Sequence, residues 1–232
     1  MQKLNAPAHL IEQVYDAILD AICEGTLQPN ERVTQEGLAA QLGVSRQPIL
    51  QAFQILKREG FIEDHGRKGV IVTPLDPQNL VQLYQVRAAL DALAARSAAR
   101  LAQQNSTKKL KASADKLISQ GRAAAAANDT RALVHLDMAF HQFIYDMSGN
   151  PVIAQTTALH WHHIRRTMSS ILQNDVRTFE GVWDEHQAIL NAIFDGNEEL
   201  AQQLAQQHAE SAVEHLARIL EGSEHAAKLK QA

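Results

Sequence analysis

The chain has 232 residues, a formal net charge of −4, 45% hydrophobic and 5% aromatic residues, and a single cysteine. That length suits one large or two modest domains, and the acidic balance excludes a polycation that coats nucleic acid by charge alone. One thiol, Cys23, forbids an intrachain disulfide and fits a reducing cytoplasm, while no leading apolar segment and no apolar run near ~18 residues indicates a signal peptide or a membrane span.

Leu10, Ile11, Val14, Ile18 and Ile22 form one helical stripe. They predict a first helix that stops at Glu24-Gly25, followed by a turn over Leu27-Gln28-Pro29-Asn30. Residues 38–48 read Leu-Ala-Ala-Gln-Leu-Gly-Val-Ser-Arg-Gln-Pro. Leu38 and Leu42, one turn apart, predict the buried face of a short helix, and Ala39 lets a neighbour approach. Gly43 suits the positive φ of a tight turn, Val44 can plug the corner, and Ser45 suits the next N-cap. Pro48 falls in the first turn of the second helix, where a missing N–H is harmless. This is the chemistry of a helix-turn-helix, which places its second helix in a DNA major groove. The alternative is an ordinary corner between two helices.

In that second helix Ile49, Ala52, Phe53 and Leu56 make the core face and Arg46, Gln47, Leu50, Gln51, Gln54, Lys57 and Arg58 face out. Phe61-Ile62-Glu63-Asp64 and Val70-Ile71-Val72 are β-prone, and His65-Gly66-Arg67-Lys68-Gly69 between them predicts a basic hairpin tip, hence a winged helix. The first 75 residues hold seven Lys/Arg against nine Asp/Glu, a balance of −2, so DNA binding must rely on a local patch. The candidate DNA contacts are Thr34, Ser45, Arg46, Gln47, Leu50, Gln51, Arg67 and Lys68.

Ile22-Cys23-Glu24-Gly25-Thr26-Leu27-Gln28-Pro29, Leu38 to Arg46, and Glu59-Gly60-Phe61-Ile62 occur in that order. Over roughly residues 10–73 the chain resembles the GntR family of bacterial transcription regulators. Two departures stand out. Asn30 replaces the family's usual glycine but tolerates the left-handed region. The recognition helix usually runs Ser-Arg-Thr-Pro-Val-Arg-Glu-Ala; here Leu50 and Gln51 stand in place of the second arginine and the glutamate. Leu50 cannot donate to guanine but can touch a thymine methyl.

Asp76-Pro77 predicts a helix start, N-cap then first position, which sets domain boundaries at 1–75 and 76–232. Helix-period runs then predict an antiparallel bundle of about six helices: about 77–104, 107–127, 130–148, 151–173, 177–195 and 197–221. The expected fold is mainly α, a winged helix-turn-helix followed by this bundle.

Four polar residues sit on stripes that should face the bundle core. Asp137 and His141 lie one turn apart among Leu133, Phe140 and Ile144; His186 lies with Val182, Ile189 and Ile193; His208 lies with Leu204 and Ala212. One carboxylate and three imidazoles are a ligand set for one divalent transition metal per chain, and with no thiolate nothing selects among zinc, nickel, iron and manganese. Any one such histidine alone is more often a hydrogen-bonded core residue. His160 and His163 are candidates to line a cavity, and His215 to orient a ligand.

The segments Asp137-Met138-Ala139-Phe140-His141 and Glu185-His186-Gln187-Ala188-Ile189, with His208 in the last helix, resemble the FadR C-terminal ligand-binding domain over roughly residues 80–220. The resemblance implies an antiparallel bundle of six or seven helices that binds a metal through an Asp and three His, with open positions facing a small carboxylate effector. Arg87, on the stripe of Leu80, Leu83, Tyr84 and Leu90, and Arg165 are candidates to grip that carboxylate, Arg87 having an i, i+4 pair with Asp91 as its alternative. The expectation is a DNA-binding regulator, a repressor acting as a homodimer on a two-half-site operator. The alternatives are a metalloenzyme with a fused DNA-binding head and a helical adaptor with a purely structural metal.

Overall fold

A computed structural model of the chain describes residues 8–66, 69–104, 106–172 and 181–230, and the side chains of all of these but Ala8 and 220–230. Arg67 and Lys68, two candidate DNA contacts, lie outside the described residues. The chain divides into two compact units, Met1–Leu75 and Asp76–Ala232.

The first unit contains α1 (Ala8–Cys23), β1 (Arg32–Thr34), α2 (Gln35–Leu42), α3 (Arg46–Arg58), β2 (Ile62–His65) and β3 (Gly69–Val72). Val14, Ile18, Leu19 and Ile22 of α1 share one core with Ile49, Ala52, Phe53 and Leu56 of α3 and with Val33, Ile62, Val70 and Val72 of the strands. The sheet is antiparallel in the order β1-β3-β2, with Val33 opposite Val70 and His65 opposite Gly69. β1 escaped the sequence reading because three residues are too short to show an alternation. Asn30 adopts φ 66° and its N–H donates to the Val72 carbonyl at 2.9 Å, so the turn keeps its left-handed residue without glycine.

Three details around the helix-turn-helix depart from expectation or refine it. Leu42 is 38% exposed rather than buried. Gly43, at φ 66°, ends α2 there, and Val44 packs against the core instead. Ser45 has extended N-cap backbone but its side chain makes no capping bond. An N-cap oxygen serves the N–H of the second or third helical residue, and the third is Pro48, which has none. Thr34 does cap: its Oγ1 accepts from Gly37 N at 3.1 Å and starts α2.

The second unit is a bundle of α4 (Pro77–Gln104), α5 (Lys108–Ala127), α6 (Thr130–Met147), α7 (Pro151–Leu172), α8 (Val182–Phe194) and α9 (Glu198–Lys230). Asp76 accepts from Gln78 N at 2.9 Å and Asp129 from Ala132 N at 3.0 Å, which fixes the starts of α4 and α6. α4 lies against α6, α7, α8 and α9. Alanines dominate its buried surface (Ala92, Ala95, Ala99) and that of α9 (Ala201, Ala205, Ala209), so the long helices approach closely. α5 meets α8 at Gly121, where an added Cβ would lie 2.3 Å from the Trp183 indole. The last helix runs to Lys230 rather than ending near 221. Gly222 lies within it and costs only about 1 kcal/mol in a helix interior, too little to end the helix there.

Candidate metal centre and nucleic-acid interface

On α3 the observed faces follow the period. Ile49, Ala52, Phe53 and Leu56 are buried, and Arg46, Gln47, Leu50, Gln51 and Gln54 are exposed. Arg46 Nη1 is 3.0 Å from Glu36 Oε1 on α2, a pair exposed on both sides. Lys57 Nζ is 3.0 Å from Asp64 Oδ1, which ties the recognition helix to the first strand of the wing. Ser45 is exposed beside them, and the Thr34 hydroxyl accepts from Gly37 N as it caps α2.

In the bundle, Asp137, His141, His186 and His208 are each no more than 5% exposed. One ligand atom from each lies within 4.8 Å of all the others. α6 supplies Asp137 and His141 from successive turns, α8 supplies His186, and α9 supplies His208. His186 Nε2 lies 3.2 Å from His208 Nε2 and 3.5 Å from Asp137 Oδ1, and His141 Nε2 lies 3.9 Å from Asp137 Oδ2. Ligand bonds of about 2.1 Å put donors about 3.0–4.2 Å apart across a single ion, so only a small contraction separates this spacing from coordination. The donor set itself fits a borderline divalent ion.

Neighbouring groups aim two of the rings. His141 Nδ1 is 3.3 Å from Asp91 Oδ2, which leaves Nε2 as the lone pair facing the cluster. His208 Nδ1 is 2.7 Å from Glu185 Oε2, with the same consequence. His186 differs. Its Nδ1 is buried without a hydrogen-bond partner, the ring stacks on Phe140 at 3.7 Å, and Trp183 meets it edge-on at 4.9 Å.

Arg87 is 2% exposed and reaches the same centre from α4. Its Nε donates to Asp91 Oδ2 at 3.1 Å, its Nη2 donates to His141 Nε2, and the guanidinium lies 4.4 Å above the Trp161 ring. The i, i+4 pair with Asp91 and the inward orientation therefore coexist. Tyr145 donates to the other oxygen of Asp91. Burial alone would raise the Asp91 carboxyl, but the His141 and Arg87 charges outweigh it and hold it at about 2. Burial lowers the His141 imidazole, helped by Arg87, and pushes His186 well below its ordinary value, helped by His208, His141 and Arg87.

Sequence reasoning brought the quartet and Arg87 together and offered Asp91 as a partner for Arg87, but missed Asp91 and Glu185 as the partners of His141 and His208, and Tyr145 as a partner of Asp91. Tyr145 carried a signal, lying one turn beyond His141 on α6. Of the two successive arginines on α7, Arg165 is half-buried and Arg166 is buried. His160 and His163 are half-buried on α7, and His215 is half-buried on α9, where Glu185 rather than His215 contacts His208.

Residues 10–72 match the family of bacterial regulatory proteins of the gntR type, and residues 82–211 match the FCD domain. The chain is 26% identical to the uncharacterized HTH-type transcriptional regulator YdhC of Bacillus subtilis, covering 94% of this chain and 96% of that one. It is also 26% identical to a probable D-xylose utilization operon transcriptional repressor of Paenarthrobacter nicotinovorans, over 84% of each chain. The solved structure of McbR/YncC from E. coli superimposes with a TM-score of 0.77 at 18% identity, over 90% of this chain and 97% of that one. These matches define a transcription regulator with a winged helix-turn-helix and a helical FCD domain. The chain belongs to the GntR family. Among the described residues no helix is long and apolar enough to cross a membrane.

Proposed function

We propose that DNA affinity is controlled from the bundle by a small carboxylate effector bound at one divalent transition metal, held by Asp137, His141, His186 and His208. The observation that carries this reading is the burial of four converging ligand atoms together with the Arg87 guanidinium. Burying three imidazoles and a carboxylate without a common partner is expensive. A bound ion would supply open coordination positions for a carboxylate. Coordination would take the His141 Nε2 lone pair that Arg87 Nη2 meets in the metal-free chain, which frees that N–H for the carboxylate; a guanidinium pairs with a carboxylate bidentately, and Asp91 already orients it. Arg165 is the further candidate on α7.

Thr34, Ser45, Arg46, Gln47, Leu50, Gln51, Arg67 and Lys68 are proposed to contact an operator with two half-sites, read by a homodimer. Leu83, Val86, Leu90 and Leu93 support the dimer. They recur at coiled-coil spacing along α4, with Val86 45% and Leu93 47% exposed, and a second copy would cover them. Effector binding is proposed to release the operator, in keeping with the repressor named among the relatives.

A panel of small organic acids titrated into the metal-loaded protein on operator DNA tests this, with fluorescence anisotropy as the readout. At least one acid is expected to weaken binding about tenfold, a coupling of about 1.4 kcal/mol, and to lose that effect in Arg87→Lys. Equal responses in wild type and Arg87→Lys would remove the arginine from the effector site.

A further inference from the structure

We infer that the recognition helix is built to read a run of A·T pairs, with Leu50 on a thymine methyl and Gln47, Gln51 and Gln54 on adenine edges. The inference rests on the reading of α3 as the helix that enters the major groove. These four residues are exposed and fall at i, i+3, i+4 and i+7, so they form one stripe opposite the buried Ile49, Ala52, Phe53 and Leu56. Leu50 keeps 36% of its surface in the middle of that stripe. Arg46 and Lys57 flank the stripe and pair with Glu36 and Asp64, each at 3.0 Å, and the exposed Arg58 continues it one turn beyond Gln54, at the C-terminal end of the helix. A recognition helix meets base edges with its N-terminal part, and from Gln47 to Gln54 that surface is three neutral amides around one aliphatic side chain.

Chemistry assigns the bases. Guanine is read through O6 and N7, both acceptors, by forked or pointed cations, and none stands on the stripe from Gln47 to Gln54. Adenine offers a donor at N6 beside an acceptor at N7, and a glutamine amide matches both at once. The C5-methyl of thymine is the one apolar group a base pair shows in the major groove, and Leu50 is the one apolar side chain on the stripe. From Gln47 to Gln54 the helix rises about 10 Å. That spans about three base pairs at about 3.4 Å each.

The test begins with selection of duplexes from a random library by the full-length protein. The expected half-site holds A·T or T·A at the central major-groove positions. On the most enriched duplex, each thymine is then replaced singly by deoxyuridine, which deletes only the methyl group. One such replacement should weaken wild-type binding about fourfold, the worth of one buried methyl group. Leu50→Ala should bind thymine and uracil duplexes equally, and Leu50→Arg should move the selected base at that position to guanine. Leu50 is exposed, so melting curves of both variants should match wild type. Guanine at the central positions of the wild-type selection would overturn the inference, as would a uracil penalty that persists in Leu50→Ala. If no sequence is enriched at all, the major-groove reading of α3 itself falls.

Discussion

In the first unit every buried side chain among the described residues, from Val14 to Val72, is apolar, and the described groups that could meet DNA stand outside on α3 and its neighbours. In the second unit ten polar or charged side chains are buried among the described residues, and Arg87, Asp91, Asp137, His141, His186 and His208 gather at one place. The contrast separates stability from function in one unit and joins them in the other. A surface side chain on α3 can change without touching the core beneath it. A side chain in the bundle cluster cannot, because each is a hydrogen-bond partner or a charge that another buried group relies on.

The largest expected effect lies at the junction of that cluster. Asp91→Ala strands the Arg87 guanidinium and the Tyr145 hydroxyl, and loss of one partner from a buried pair costs about 3–5 kcal/mol. Urea unfolding of the metal-free protein measures it, and a loss below about 1 kcal/mol would show that the pair contributes little. Metal comes next. At about 100 times its dissociation constant, a divalent ion should add about 2.7 kcal/mol to wild type and almost nothing to His186→Ala. An equal increment in both would place the ion elsewhere.

Acid should separate the units further. The folded state holds His141 and His186 below the ordinary histidine value of 6.5, so the unfolded chain takes up protons first. The stability of the metal-free bundle should therefore be fully present above about pH 6.5 and fall as the pH drops below it. Unfolding at pH 7.5 and pH 5.5 reads the sign, and a more stable bundle at pH 5.5 would contradict it. The smallest effects belong to the first unit. Thr34→Ala removes a working cap and should cost about 1 kcal/mol, whereas Ser45→Ala removes a hydroxyl with no capping bond and should cost less than about 0.5 kcal/mol. Equal losses would mean that Ser45 caps after all.

What was legible in the sequence was whatever repeats within one element. The α3 faces, the turn at Gly43, the cap at Asp76, and the inward placement of Asp137 with His141 all follow from a 3.6-residue period or from local turn chemistry. What was not legible depends on contacts between elements. Asp91 meets Tyr145 and His141 from a different helix, Glu185 meets His208 across α8 and α9, and no single-helix period pairs them. Leu42 misled because its spacing from Leu38 is right but α2 ends at that residue, whereas Val44 packs against the core as its place in the corner predicted. Ser45 is a different case, because Pro48, which removes the donor at the third helical position, stands in the sequence itself.

The central claim is that the buried quartet holds one metal ion per chain. Metal content by mass spectrometry, after chelation, reloading and desalting, tests it most directly on wild type and on Asp137→Ala and His186→Ala variants whose helical circular dichroism is intact. One equivalent of a divalent transition metal per wild-type chain, with near-zero content in both variants, is the predicted result. A wild type that retains no metal, or variants that retain as much as wild type, would contradict it.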